Sequence, residues 1–339
     1  MSVGPRVRLV AGAALAFAAF EITLRFVAYG VPVIDPNRGW VYRDTTVRHL
    51  LSEGHGISHW DREGHRESPF RPREPRIRFL AVGDSMTQAL QVSDGEVYTA
   101  RLEQALQEAG WSAAVVNGGR SSLCAADYVA AARLYRAALS PTWTIVQLRL
   151  DDLTTDCRVP SRTHFVEDDE GALSVEVIVP RLGRVSSWLY QMRRSSAFLD
   201  QAIGRASVFQ AATRLPPMFR GGDVPSEPGR VRPATEYPIE RELSMLASAW
   251  GGRLTIALTP EETAGPGEVE QRIIRYCTEN GLSFVDLRDL FQRFERDQSS
   301  PYGFPNSEYA AGHLNPRGHQ ALASLILTEL QALRARGLL

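Results

Sequence analysis

From position 77 to its end the chain alternates short apolar runs with longer stretches of helical periodicity. Residues 77–82, 113–117, 143–150, 253–258 and 283–286 are apolar runs of strand length, closed by turn or polar residues. Between them, apolar positions recur at helical spacing over 94–109 (Ala100, Leu102 and Leu106 inward), 125–138 and 266–279. A last helix carries Leu322, Leu325, Ile326, Leu330 and Leu333, with Asn315-Pro316 supplying an N-cap and Pro at N1. Strands alternating with helices predict a parallel, doubly wound sheet, and right-handed crossovers put helices on both faces of a three-layer α/β/α sandwich. Residues 158 to about 245 break the rhythm. His164 to Val179 reads as a hairpin, Trp188 to Ile203 as helical, and Arg220 to Tyr237 as a loose Pro/Gly-rich stretch. An insertion there would overhang the carboxyl ends of the strands.

The N-terminal pattern differs. Arg6 and Arg8 precede an unbroken apolar run of 12 residues, Leu9 to Phe20, which continues through Tyr29 interrupted only by Glu21 and Arg25. Those two charges are an i,i+4 pair. Residues 1–31 therefore read as a transmembrane signal-anchor. The alternative is a signal peptide cleaved after Ala16-Phe17-Ala18. Both readings keep the arginines inside and place the bulk of the chain outside the cytoplasm. Residues 32–76 are polar and turn-rich and read as an extension wrapped over the domain that follows, 77–339.

Composition changes this picture little. With 44% hydrophobic residues and a net charge of −1, the 339-residue chain has an ordinary globular balance. Its basic residues are dispersed, which gives no footprint for nucleic acid. His55, His59 and His65 lie in a Gly- and charge-rich stretch and read as an irregular surface loop rather than metal ligands. Neither a metal nor a cofactor is expected. The three cysteines allow one bridge, for which Cys124 and Cys157 are candidates, while Cys277 beside Ile273 and Ile274 reads as a buried apolar residue.

The candidate chemistry sits at two distant points. The strand at 77–82 ends in Gly83-Asp84-Ser85-Met86-Thr87, which places Ser85 in the turn at the carboxyl edge of the sheet. Thr87 occupies the position of the second Gly in a Gly-x-Ser-x-Gly elbow, so this is a different turn. Far downstream, His313-Leu314-Asn315-Pro316-Arg317-Gly318-His319 enters the last helix. His313 is thus able to reach Ser85 and supply the base that a hydroxyl nucleophile needs.

Together these blocks resemble the first and last motifs of the SGNH (GDSL) hydrolases. Val115-Val116-Asn117-Gly118-Gly119 is similar to the family's second block, with Gly119 at the oxyanion-hole glycine. Arg149-Leu150-Asp151-Asp152 resembles its Gly-x-Asn-Asp block, with Arg149 for the Gly and Asp151 for the Asn. Ala310 stands where the family has its triad acid, so the resemblance implies a Ser85–His313 dyad with Ser85, Gly119 and Asp151 around the oxyanion. Asp84, Asn117, Asp152, Asn315 and His319 are the supporting residues of these blocks. The implied fold is the same sandwich, with a flavodoxin-like strand order. The implied activity is hydrolysis of acyl esters outside the cytoplasm, on a substrate such as an O-acetylated polysaccharide or a lipid. Two other readings stay open: acyl transfer to envelope glycans, and a catalytically inactive binding domain.

Overall fold

The computed structural model describes residues 5–27, 30–35, 37–50, 53–154, 157, 163–178, 184–200, 202, 238–259, 267–308 and 310–339. An N-terminal helix α1 (Pro5–Val27) is followed by four short strands, β1 (Val33–Asp35), β2 (Gly39–Val41), β3 (Thr45–His49) and β4 (Gly56–Trp60). The central elements are β5 (Ile77–Val82), α2 (Ser85–Gln88), α3 (Tyr98–Glu108), β6 (Ala113–Asn117), α4 (Ala125–Leu139), β7 (Trp143–Arg149) and α5 (Asp151–Thr154). Next come β8 (His164–Glu167), β9 (Leu173–Glu176), α6 (Arg184–Ser195), α7 (Ile239–Ala249), β10 (Leu254–Thr259) and α8 (Glu268–Glu279). The chain closes with β11 (Ser283–Asp286), α9 (Arg288–Arg296) and α10 (Pro316–Ala335).

The five predicted strands form one all-parallel sheet in the order β11-β10-β7-β5-β6. Numbered among themselves, they run 2-1-3-4-5 from the β6 edge, the flavodoxin-like order. Every side chain of β6 and β10 is buried, as expected of strands covered on both faces. One face packs on α3 and α10 through Leu102, Leu106, Leu322, Ile326 and Leu330, all buried. The other packs on α4, α7 and α8 through Tyr128, Leu243, Leu246 and Ile273. The order of strand addition reverses between β5 and β7, so the crevice beyond their carboxyl ends is the topological switch point, where open α/β sheets bind ligands.

The extension departs from its expected irregularity. It folds into two antiparallel hairpins, β1–β2 and β3–β4, and Arg66 then bridges onto Asn117 at the β6 edge. Trp60, His65 and Arg66 are buried, which corrects the surface reading for His65, while His55 and His59 are exposed as expected. Covering the β6 edge also removes an open row of backbone donors and acceptors. The 158–245 insertion contains the β8–β9 hairpin and α6 as expected, while Ile203 and the Pro/Gly-rich stretch 220–237 lie outside the described residues. Cys124 and Cys157 form a disulfide with Cα atoms 5.5 Å apart, tying the start of α4 to the segment after β7. Cys277 is buried and free, and burial pushes its thiol up to about 12.

Candidate active site

Strand β5 delivers its last residue into a turn that only glycine can make. A Cβ on Gly83 would meet Thr87 Oγ1 at 2.2 Å and Gln147 Oε1 at 2.8 Å. Asp84 then N-caps α2, its carboxylate accepting from the Met86 N–H at 2.8 Å. Ser85 is the first residue of α2, where a backbone N–H has no intrahelical acceptor. This short turn is held from several sides. Thr87 Oγ1 lies 3.1 Å from both Tyr98 Oη and Gln147 Oε1, and Asn117 Nδ2 donates to Thr87 O at 2.8 Å. The Arg66 guanidinium, wholly buried, donates to the carbonyls of Gln88 (2.9 Å), Ala89 (2.5 Å) and Val92 (2.6 Å), and pairs with Asp94 at 3.0 Å. Those carbonyls end the helical turn, and of the three Ala89 O also accepts the Val92 N–H.

His313 arrives from the opposite end of the chain. Its carbonyl accepts from Gly303 N, and the Asn315 N–H donates to Pro301 O at 2.9 Å, which fixes the backbone on both sides of the ring. Asn315 caps α10 as predicted, accepting from the N–H groups of Arg317 and Gly318. The ring places Nε2 3.0 Å from Ser85 Oγ, within the reach a general base requires.

The other ring nitrogen meets a carboxylate that the motif spacing did not point to. Glu53 Oε2 lies 2.6 Å from His313 Nδ1, and Oε1 accepts the His313 backbone N–H at 2.6 Å. Glu53 thus extends the expected Ser85–His313 pair into a continuous hydrogen-bonded chain of three side chains. A carboxylate only accepts, so Nδ1 carries the ring proton and Nε2 is left with a lone pair facing Ser85. Glu53 is set in the β3–β4 connection by Asn306, which accepts from Gly54 N at 2.9 Å and donates to Gly54 O at 3.1 Å. The His55 N–H donates to Gln91 O, holding the same connection against the end of the Ser85 turn. Gly312 makes room for the carboxylate: at φ +81° it is left-handed, and a Cβ would stand 2.2 Å from Glu53 Oε1.

Two of the residues expected around the oxyanion, Gly119 and Asp151, have partners of their own. The Gly119 N–H donates to Asn117 Oδ1 at 2.9 Å, so it is occupied within its own turn. Glycine is needed at 119 because a Cβ would stand 2.5 Å from Gln88 N, a packing requirement. Asp151, at the carboxyl end of β7, pairs with Arg149, with Nε 3.2 Å from Oδ1. The same guanidinium lies 3.7 Å from Asp84 Oδ2. Asp152 is buried beneath them and accepts from the Arg149 N–H at 2.9 Å and from Tyr128 Oη at 3.2 Å. Burial, reinforced by the neighbouring Asp84, pushes the Asp152 carboxyl well above the usual range. Burial also raises Asp84, with Arg149 opposing.

His319 belongs to the core. It is fully buried and stacked on Tyr98, and it accepts the Tyr98 N–H at Nδ1. Burial lowers its pKa to about 3, so the ring is neutral. Among the described residues, no group of three or more His, Cys, Asp or Glu is placed to hold a metal.

No family model matches the chain, and no curated protein matches it. Solved structures are similar to it at low identity and low TM-score. LAE5, an alpha/beta hydrolase enzyme from the metagenome of Lake Arreo, Spain, is 16% identical at a TM-score of 0.43, with 76% of this chain and 97% of that one covered. A catalytic mutant of Axe2, an acetylxylan esterase from Geobacillus stearothermophilus, is 17% identical at 0.41, covering 76% and 94%. The lipase/acylhydrolase from Enterococcus faecalis is 12% identical at 0.40, covering 76% and 96%.

Proposed function

We propose that this chain is an SGNH-type serine hydrolase of acyl esters, anchored in a membrane by α1, with its catalytic domain outside the cytoplasm. One observation carries the catalytic part: the continuous chain Ser85 Oγ, His313 Nε2, His313 Nδ1 and Glu53, with spacings of 3.0 and 2.6 Å. His313 takes the Ser85 hydroxyl proton as Oγ attacks the ester carbonyl, and Glu53 stabilises the resulting imidazolium. The Ser85 N–H faces the developing oxyanion. Arg149 sets a cation at the same sheet edge, where Asp151 would oppose negative charge if it stood alone. Collapse expels the alcohol, which takes the proton from His313. Water activated by the same ring then releases the acid.

Three observations support the location. The span Arg6–Phe26 covers 21 residues, about 31 Å of helix at the usual rise, which matches a hydrocarbon core of about 30 Å. Its side chains are nearly all exposed, with Leu9, Leu15 and Phe26 among them, so the domain does not bury this helix as a core element. The Cys124–Cys157 disulfide fits an oxidising compartment. Glu21 and Arg25 lie where the span meets the domain. Glu21 accepts the N–H groups of Ala197 and Phe198 and the Ser196 hydroxyl, and Arg25 donates to Ser195 O. Those contacts favour an uncleaved anchor.

The test is turnover. Full-length protein in detergent should hydrolyse small activated acyl esters, and Ser85→Ala should reduce the rate to background. Equal rates for the two proteins would end the serine-hydrolase reading.

A further inference from the structure

Among the described residues two arginines are more than nine-tenths buried, and they differ in one respect. Arg66 spends its donors on three carbonyls and Asp94. Arg120 is 7% exposed, and its guanidinium has no hydrogen-bond or ion-pair partner among the described residues; its Nε is buried outright. Its backbone is well placed: the Arg120 N–H donates to Gly83 O at 3.1 Å, two residues before Ser85, and the next residue, Ser121, donates to Gln88 Oε1. Arg120 lies in the loop that follows β6 at the sheet's switch point.

The same loop lines a cavity of about 890 Å³. Its walls come from Trp40 of the extension, Val129 of α4 and Leu173 of the insertion hairpin. Three other charged groups lie on these walls, of which Arg133 is exposed to solvent and the other two are already engaged. Arg38 pairs with Asp35, and Asp127 accepts the Cys124 N–H at the start of α4. Arg120 is the buried cation left over. A buried charge is retained only where something pairs with it, and the planar guanidinium fork matches carboxylate and phosphate oxygens.

We propose that Arg120 is a specificity residue that binds an anionic group, carboxylate or phosphate, carried by the ester substrate in this cavity. The assignment rests on the hydrolase reading above and narrows its substrate class. The apolar walls would hold the remainder of the molecule.

The experiment uses the full chain in detergent at fixed ionic strength. Inorganic phosphate and glucuronate are titrated calorimetrically into wild type, Arg120→Gln and Arg120→Lys. Wild type should bind one of them, with affinity reduced at least about tenfold in Arg120→Gln and less in Arg120→Lys. The anion preferred tells phosphate from carboxylate. Selectivity is then read on two matched pairs: acetylglycerol against its 3-phosphate, and acetylglucose against acetylglucuronate. The kcat/KM ratio should favour one charged ester by about tenfold or more in wild type and fall towards unity in Arg120→Gln. Should Arg120→Gln fail to fold, wild-type binding and the wild-type ratio still decide. No binding of either anion, binding that Arg120→Gln leaves unchanged, or a wild-type ratio near one would overturn the proposal. Anion binding by a protein that cleaves no ester would overturn the hydrolase reading and with it the substrate role, while leaving Arg120 as an anion site.

Discussion

Replacing Glu53 by glutamine should silence the site without removing a single heavy atom from it. The carboxylate accepts twice from His313, from the backbone N–H and from Nδ1, each at 2.6 Å. An amide has one acceptor and one donor end. If its oxygen faces Nδ1, its NH2 confronts the His313 backbone N–H. If it is flipped, the NH2 faces Nδ1 and forces the ring proton onto Nε2. Both orientations contain a conflict, and the flipped one removes the lone pair that must take the Ser85 proton. Where an acid of this kind is converted to an amide in a serine triad, the loss is about 10⁴ in kcat through the wrong tautomer. A less committed orientation would give about 10²-fold, so the expected range corresponds to roughly 2.7–5.4 kcal/mol of transition-state stabilisation. Glu53→Ala relieves the donor clash and should be the milder change, although it leaves the backbone N–H of His313 unpaired. The assay is kcat on a small activated ester, with thermal unfolding to verify that the fold is kept. A Glu53→Gln variant that folds and turns over within about threefold of wild type would refute the triad, since no tautomer-dependent step loses so little.

Other consequences concern stability and location. Asp152 has a folded pKa raised above its unfolded value near 4. The native state therefore holds more protons than the unfolded state between those two values, and stability falls as pH rises through that window. Asp152→Asn keeps an acceptor for the Arg149 N–H and should flatten this part of the stability–pH curve, measured by denaturant midpoints. An unchanged slope would contradict the buried, protonated carboxyl. Arg66→Met strands the Gln88 and Val92 carbonyls and removes one partner each from Ala89 O and Asp94 at the end of the Ser85 turn, and should cost about 2 kcal/mol or more in urea unfolding; a loss under about 1 kcal/mol would mean water replaces those bonds. The anchor reading predicts that the protein stays in membranes through an alkaline wash with its N-terminus intact. A mature chain beginning at Ala19 would contradict it.

The sheet was legible because its strands are buried on both faces and read as unbroken apolar runs, and because helices must alternate with them. Ser85 and His313 were legible for a related reason: both stand at the boundary of a periodic element, one after β5 and one before α10. Glu53 was not legible. It reaches His313 across a sequence separation of 260, from a segment whose pairing partners are set by tertiary contact rather than by a long apolar pattern. The extension's strands are only three to five residues long, too short for a period to declare itself. The sole local trace was the run of small residues Gly54 and Gly56 beside Glu53, together with Gly312 beside His313. Each of these glycines is needed where backbones or a carboxylate approach too closely for a Cβ. Gly119 was ambiguous for the converse reason: a glycine after a strand serves equally as an N–H donor or as a close-packing residue, and here its N–H meets Asn117 Oδ1.

The central claim is that Ser85 is an activated nucleophile driven by His313 and Glu53. It is tested most directly by fluorophosphonate labelling of the full-length protein, with the modified residue mapped by mass spectrometry. The triad predicts modification of Ser85 alone within minutes, abolished by His313→Ala and slowed by about 10²-fold or more in Glu53→Gln. Absence of labelling in folded wild-type protein, or labelling at Ser85 that proceeds equally fast in His313→Ala, would contradict it.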